Sequence, residues 1–129
     1  MIISLVIAIT IHEFSHALAA DRLGDPTPRS MNRLSLNPFR HLDPIGTLML
    51  VFFHFGWGKP VPIDSFNFRK PKRDELIVAF AGPASNLILS ILISLIIRLI
   101  PLDIFLKNIF AIIIQYNIML AIFNLIPIP

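Results

Sequence analysis

The chain has 129 residues, 55% of them hydrophobic, and a mean hydropathy of +0.75. This composition excludes an ordinary soluble domain and indicates a membrane protein, and the length allows one domain. The net charge is +3, and the basic residues concentrate in the polar middle of the chain, which suits a membrane–water boundary and not a nucleic-acid surface. The chain has no cysteine, which excludes disulfides and thiolate metal sites.

The first membrane span is predicted over residues 2–20, an apolar stretch of about the length that a helix needs to cross a bilayer. Its far end carries His12, Glu13 and His16. In a helix the two histidines lie one turn apart on the same face, so both imidazoles can bind one divalent metal ion. Glu13 is placed to hydrogen-bond a water on that metal, as in the H-E-x-x-H arrangement of zinc peptidases. Because ionisable groups are costly inside a membrane, we favour a zinc site, with a proton relay or a buried polar cluster as the alternatives.

The region over residues 21–44 is polar and broken by prolines, with glycines nearby, which argues against a long helix. A loose polar–apolar alternation over residues 29–37 predicts one short strand or hairpin. Residues 47–57 are strongly apolar but reach only about half-way across a bilayer as a helix, which predicts a re-entrant or interfacial piece. The strip of residues 56–64 is rich in glycine and proline, and we expect an extended backbone that a substrate peptide pairs with by strand addition. The basic run over residues 68–74 is predicted to be a solvated juxtamembrane anchor.

The second and third spans are predicted over residues 76–100 and 104–126. Small residues at 81–85 allow a neighbouring helix to approach closely, and Pro83 is expected to bend the second span. Asn86 follows them, either as an interhelical hydrogen-bonding group, which periodicity favours, or as part of the site lining. The chain is thus expected to be an all-α membrane protein, a single unit over residues 1–129 with three spanning helices and a short re-entrant or hairpin region between the first two.

The basic residues also predict the topology. Nearly all lie between Arg22 and Arg73, so the positive-inside rule places residues 21–75 in the cytoplasm. We expect a multi-pass protein in the plasma membrane of a prokaryote, surrounded by lipid bilayer and with its active site toward the cytoplasmic side. No nucleic-acid partner is expected.

Several motifs, in this order, resemble the site-2 protease family of intramembrane metalloproteases, also known as peptidase family M50. The resemblance runs through most of the chain and is strongest to the compact prokaryotic branch with three core helices. The motifs are His12–His16 (HEFSH), Arg33–Pro38 (RLSLNP), His41–Thr47 (HLDPIGT), Gly56–Pro62 (GWGKPVP), Ala81–Asn86 (AGPASN) and Phe123–Pro129 (FNLIPIP).

This resemblance implies roles for particular residues. His12 and His16 would be zinc ligands and Glu13 the general base. Asn124 would polarise the substrate carbonyl or hold the oxyanion, and Asn86 would support the site or contact substrate. The strip beside the substrate would contain Gly56, Lys59, Pro60, Val61 and Pro62.

In the family, the third zinc ligand is an aspartate in a Leu-Asp-Gly sequence that follows the motif of Asn124. The chain ends at Pro129, so we expect it to be incomplete and inactive as given. Inside the chain, His54 is the best other candidate for a ligand or a supporting residue, ahead of His41 and Asp43.

The expected function is that of an intramembrane zinc endopeptidase, which cleaves a peptide bond in or near a transmembrane segment of a substrate protein during regulated intramembrane proteolysis. Two alternatives stay open. One is an inactive scaffold that captures transmembrane segments, and the other is a membrane metal-binding or transport protein. The transport alternative is weaker because the second and third spans offer amides and few ionisable groups.

Overall fold

The computed structural model describes residues 2–53 and 56–125, and this part of the chain is mainly helical. The α-helices, in chain order, are α1 (Ile2–Arg22), α2 (Thr27–Ser30), α3 (Pro44–Phe53), α4 (Pro71–Leu99) and α5 (Ile104–Leu125). Short 3-10 helices at Pro38–Arg40 and Ser65–Asn67 lie in the region between α1 and α4.

Three of the described helices, α1, α4 and α5, are long and apolar enough to cross a membrane. Helices α4 and α5 pack along each other, and α1 packs against both. The ten-residue helix α3 is too short to span a bilayer. The prediction of an all-α membrane protein with a three-helix core is therefore confirmed.

Many buried side chains of this bundle are small or polar, whereas many large apolar side chains are exposed. The buried residues include Ala8, Ala17, Ala121, Asn86, Ser90 and Asn117, and the exposed ones include Ile88, Leu92, Leu95, Phe105 and Ile122. Lipid tails solvate apolar side chains as well as a protein core does, so small residues and interhelical hydrogen bonds hold such a bundle together. This distribution of residues is that of a protein whose solvent is a bilayer.

Helix α1 ends two residues beyond its predicted limit, and Gly24 terminates it. This glycine has a φ of +106°, a left-handed conformation that side chains with a Cβ disfavour. The chain then doubles back, so that the Asp25 N–H donates to the Ala20 carbonyl at 2.9 Å. This is the hydrogen-bond pattern of a glycine-capped helix end.

The short strand or hairpin predicted over residues 29–37 is wrong. Within the described residues, this segment contains the end of α2 and a series of turns, and no strand. Pro28 lies in the first turn of α2, and Asn32 adopts a φ of +58°, which allows the Arg33 N–H to donate to the Pro28 carbonyl at 2.8 Å. Proline and asparagine thus form a local turn that overrides the weak alternation.

Helix α4 begins at Pro71, five residues before the predicted start at 76, and so includes part of the basic run. Proline is well suited to the first turn of a helix because its missing N–H has no partner there in any case. The Asp74 carboxylate accepts from the Lys70 N–H at 3.2 Å and so caps the helix start. The helix then continues through Pro83 to Leu99.

Candidate metal centre

His12 and His16 lie on the face of α1 that packs against α4. Their Nε2 atoms are 2.9 Å apart, and their rings meet edge to face with centroids 4.5 Å apart. Zinc binds imidazole nitrogen at about 2.0–2.1 Å. Two nitrogens at this separation are therefore close enough for both to bind one ion.

The side chain of Asn86, on α4, determines the orientation and tautomer of His12. The Asn86 Nδ2 donates to the Ala8 carbonyl at 3.0 Å and to Asn117 Oδ1 at 2.8 Å. Because a carbonyl can only accept, this nitrogen is identified without ambiguity and the Asn86 Oδ1 must face His12. That oxygen lies 2.7 Å from His12 Nδ1. The Nδ1 therefore carries the proton, and Nε2 presents a lone pair.

A backbone carbonyl of α4 orients His16 in the same way. The His16 Nδ1 lies 2.6 Å from the Val78 carbonyl oxygen, to which only an N–H can donate. The His16 Nε2 therefore also presents a lone pair, directed at that of His12. Two lone pairs at 2.9 Å repel each other unless a cation or a proton lies between them. The donor set thus fits a divalent metal ion, and both Nδ1 partners are of the kind that orients metal-binding histidines.

Gly82, on α4, leaves the space that this arrangement needs. A Cβ atom at this position would lie 2.5 Å from the Nε2 of His16 and 2.6 Å from that of His12. Any side chain there would displace both rings. The glycine of the AGPASN motif is therefore a steric requirement of the histidine pair, in addition to allowing close helix packing.

A cavity of about 540 Å³ opens beside the histidine pair. Glu13 and Asn124 line it together with both histidines, and the strip contributes Pro60 and Val61. A smaller cavity of about 200 Å³ shares His12, Glu13 and Asn124 with the first, and its other lining residues include Gly56, Trp57 and Phe123. Glu13 and Asn124 line both cavities, so any segment that occupies either one meets them.

The other residues predicted for the strip contribute in different ways. The Lys59 N–H donates to the His41 carbonyl at 2.7 Å, and in the described part of the chain neither Lys59 nor Pro62 lines the two cavities. Asn124 is exposed, and its Nδ2 donates to the Leu120 carbonyl at 2.7 Å. His54 lies outside the described residues.

The two other candidates for a third ligand have different partners. The His41 Nε2 donates to the Ser35 carbonyl at 2.6 Å, and burial lowers the pKa of this histidine below its ordinary 6.5. The Asp43 Oδ2 accepts from the Gly46 N–H at 2.9 Å and from the Trp57 Nε1 at 2.8 Å. Over residues 2–53 and 56–125, no three His, Asp or Glu side chains converge as a metal site. The described donor set is therefore the histidine pair.

Asn117 is a site residue that sequence reasoning missed, since the amides of the third span were considered there only as a group. It is fully buried on α5, accepts from Asn86, and donates to the Ile113 carbonyl at 2.8 Å. A chain of hydrogen bonds thus runs from α5 through α4 to His12 on α1. An amide within an apolar span is the signal that could have identified it, because such groups need partners in a membrane.

Comparison with known proteins identifies the family. The sequence model of peptidase family M50 matches residues 1–103. YwhC of Bacillus subtilis, named as a candidate zinc metalloprotease, is 38% identical over 138 aligned residues that cover all of this chain and 63% of YwhC. Two proteins named Rip2, described in the same way, are 33% identical in Mycolicibacterium smegmatis and 30% in Mycobacterium tuberculosis. They align with 68% and 96% of this chain.

The chain spans only part of these relatives, namely 63% of YwhC and 36% and 50% of the two Rip2 proteins. No solved structure matches the chain. The names of the relatives agree with the metal expected from the histidine pair, and the family match confirms the resemblance seen in the motifs. This chain belongs to peptidase family M50, the site-2 protease family.

Proposed function

We propose that this protein is an intramembrane zinc endopeptidase that cleaves a peptide bond in or near a transmembrane segment. The single observation that carries the proposal is the histidine pair, whose two Nε2 lone pairs converge inside the bundle at 2.9 Å next to Glu13 and a cavity of about 540 Å³. The family match and the three apolar helices support it.

In this proposal His12 and His16 hold the zinc ion and Asn86 keeps the first of them oriented. When bound, zinc supplies Lewis-acid chemistry, which activates water and polarises the scissile carbonyl. The family resemblance assigns the third protein ligand to an aspartate that follows the motif of Asn124. Reading the source gene past the codon for Pro129 tests this assignment, and a continuation without an aspartate in a Leu-Asp-Gly context would contradict it.

Glu13 acts as the general base and then as the general acid. It accepts a proton from the attacking water as the new C–O bond forms, and returns a proton to the amine nitrogen as the amide C–N bond breaks. Asn124 lines the same cavity and is proposed to donate a hydrogen bond to the carbonyl oxygen of the substrate.

The substrate must be extended at the site, because the backbone of a helix hides its carbonyls in internal hydrogen bonds. The strip, whose Pro60, Val61 and Ile63 line the main cavity, is proposed to pair with this extended segment by strand addition. A segment that unwinds from a transmembrane helix would thereby regain partners for its backbone groups.

The decisive experiment compares the wild-type full-length protein with the Glu13→Gln variant. Membranes from cells that produce each form are compared by sequencing of new protein N-termini, and zinc is measured in the purified proteins. We expect termini within or beside transmembrane segments in the wild type alone, a loss in kcat of about 10²- to 10⁴-fold for the variant, and equal zinc in both.

An Asp103→Asn variant, changed in the exposed turn before α5, is the control and should cleave as the wild type does. Zinc binding without any difference in N-termini between wild type and Glu13→Gln would contradict the protease and favour a scaffold that captures transmembrane segments.

We also propose that the site faces the cytoplasm of a prokaryotic cell, because the basic residues concentrate between Arg22 and Arg73. These 129 residues contain no cysteine, so an Arg40→Cys variant introduces a thiol label site here, and the protein without this substitution is the control. We expect a membrane-impermeant thiol reagent to label it in inside-out vesicles and not in intact cells. Labelling in intact cells would contradict the proposed cytoplasmic location of this region.

A further inference from the structure

Arg33 extends a charged side chain behind the strip. The residue is only 6% exposed. Its Nη2 donates to the Lys59 carbonyl at 2.5 Å and its Nη1 donates to the Pro60 carbonyl at 3.1 Å. One guanidinium thus holds two consecutive carbonyls of the strip, a geometry that its planar fork of donors allows.

Two other contacts hold the strip. The Lys59 N–H donates to the His41 carbonyl at 2.7 Å. A Cβ atom at Gly58 would lie 2.8 Å from the Ile9 side chain and 3.1 Å from the His41 carbonyl, so the backbone packs closely against α1 there. Pro60, whose carbonyl Arg33 holds, and Val61 line the cavity with the histidine pair. The strip is therefore held at residues 58–60, next to the residues that line the cavity.

Burying a guanidinium costs desolvation free energy, so a buried arginine needs contacts that justify its presence. Burial lowers the pKa of Arg33, and the negative charge of nearby Glu13 works to raise it. In the part of the chain that the structure describes, the buried Arg33 Nε has no hydrogen-bond partner. An apolar side chain would fill the same space without this desolvation penalty, so the two carbonyl contacts are the feature that only arginine provides here.

We propose that Arg33 is a positioning residue that fixes the strip beside Glu13 and the histidine pair, so that an extended substrate segment docks on a preformed edge. This inference rests on the proposed protease function. Preorganisation of this kind reduces the entropy lost on binding, since residues 58–61 are already ordered before substrate arrives. Arg33 then affects substrate binding through the strip and leaves zinc binding unchanged.

The test uses the full-length protein in detergent micelles and compares Arg33→Lys and Arg33→Gln with the wild type. Lysine keeps the charge, but its single ammonium group cannot reproduce the fork that holds both carbonyls. Hydrogen–deuterium exchange of the peptide covering residues 56–64 is measured without substrate, together with bound zinc. We expect exchange of the Lys59 amide to rise about tenfold or more in both variants, with zinc unchanged.

Kinetics with a protein substrate identified by the N-terminal comparison provide the second measurement. We expect Arg33→Lys to raise KM about tenfold with a smaller change in kcat, because the docking edge is lost and the chemical groups remain. The matched controls are Arg29→Lys and Arg29→Gln. Arg29 pairs with Asp21 on the surface at 2.8 Å, and these variants should change neither exchange nor KM.

Wild-type exchange in Arg33→Lys, or loss of zinc from it, would overturn the role of Arg33. Should Arg33→Gln fail to fold, Arg33→Lys decides the question alone. The proposed function has its own test: it is contradicted if the wild type produces no new N-termini that depend on Glu13. The exchange measurement does not depend on that result.

Discussion

The two walls of the site are built differently. On one side, α1, α4 and α5 hold the histidine pair through helix-to-helix contacts, in which Asn86 bonds to His12 and Asn117. On the other side, the strip has little regular structure and depends on single side chains, Arg33 behind it and Asp25 at its far end. The geometry of the histidine pair therefore depends on packing along the helices, whereas the position of the strip depends on a few hydrogen bonds that substitutions can remove one at a time.

The largest expected effect is on the helical wall, at Gly82. Replacing it with valine places atoms where the two imidazole rings lie, so the rings must separate. We expect zinc affinity to fall by about 100-fold or more, measured by competition with a chelator. Ala84→Val, an exposed position two residues further along the same helix, should bind zinc as the wild type does. Equal affinity in the Gly82 variant would contradict the steric role of the glycine.

Asn86 and Asn117 test the hydrogen-bond chain within the same wall. Removing the Asn86 amide frees His12 Nδ1 from its partner, and we expect zinc affinity to fall about 10- to 100-fold in Asn86→Ala. Asn117→Ala should produce a smaller loss in the same direction, because it acts through Asn86. Gln115→Ala, exposed on the same helix as Asn117, serves as the control. If both asparagine variants kept wild-type affinity, the hydrogen-bond chain would have no part in metal binding.

Asp25 tests the other wall. It is fully buried, and its carboxylate accepts from the Thr27 N–H and hydroxyl, the Asp64 N–H and the Asn67 side chain. In Asp25→Asn an NH₂ group faces the Asp64 N–H, so two donors oppose each other. We expect a loss of about 1–3 kcal/mol in local stability, seen as faster hydrogen exchange over residues 63–68. Zinc affinity should stay unchanged, and a loss of zinc would show that the two walls are not independent.

Acid should have the same effect as this substitution. Burial works to raise the pKa of Asp25, but the hydrogen bonds from Thr27, Asp64 and Asn67 outweigh it and lower the pKa below 3.8. A carboxyl group with a lowered folded pKa stabilises the fold above its unfolded pKa, and this stabilisation is lost as pH falls through the folded value. We expect the exchange protection of residues 63–68 to decline below about pH 4 in the wild type and not further in Asp25→Asn. If exchange protection declined equally in the wild type and in Asp25→Asn, protonation of Asp25 would be excluded as the cause.

The smallest effect is expected for the surface ion pair between Arg29 and Asp21. Its arginine is well exposed, and water and salt screen exposed pairs strongly. Asp21→Asn should therefore leave zinc affinity and the exchange of both walls unchanged. A clear change in the exchange of residues 56–68 would mean that the support of the strip extends to this surface.

The predicted spans and the observed helices differ mainly at their ends. The span predicted over residues 2–20 became Ile2–Arg22, and the one over 104–126 is described as Ile104–Leu125. The start of α4 was missed because an N-terminal proline and a capping aspartate are weak signals next to a run of basic residues. The strand over residues 29–37 was wrong because turn chemistry at Pro28 and Asn32 outweighed a loose alternation.

The sequence by itself determined the class of protein, the spans and the pairing of His12 with His16, because hydropathy and helical periodicity act over neighbouring residues. Only the tertiary structure decided which groups orient those histidines and which hold the strip. Asn86 is 74 residues from His12 in the chain, and Arg33 is 27 from Pro60. Contacts at such separations depend on how the helices pack and where the loops return, and no local pattern encodes them.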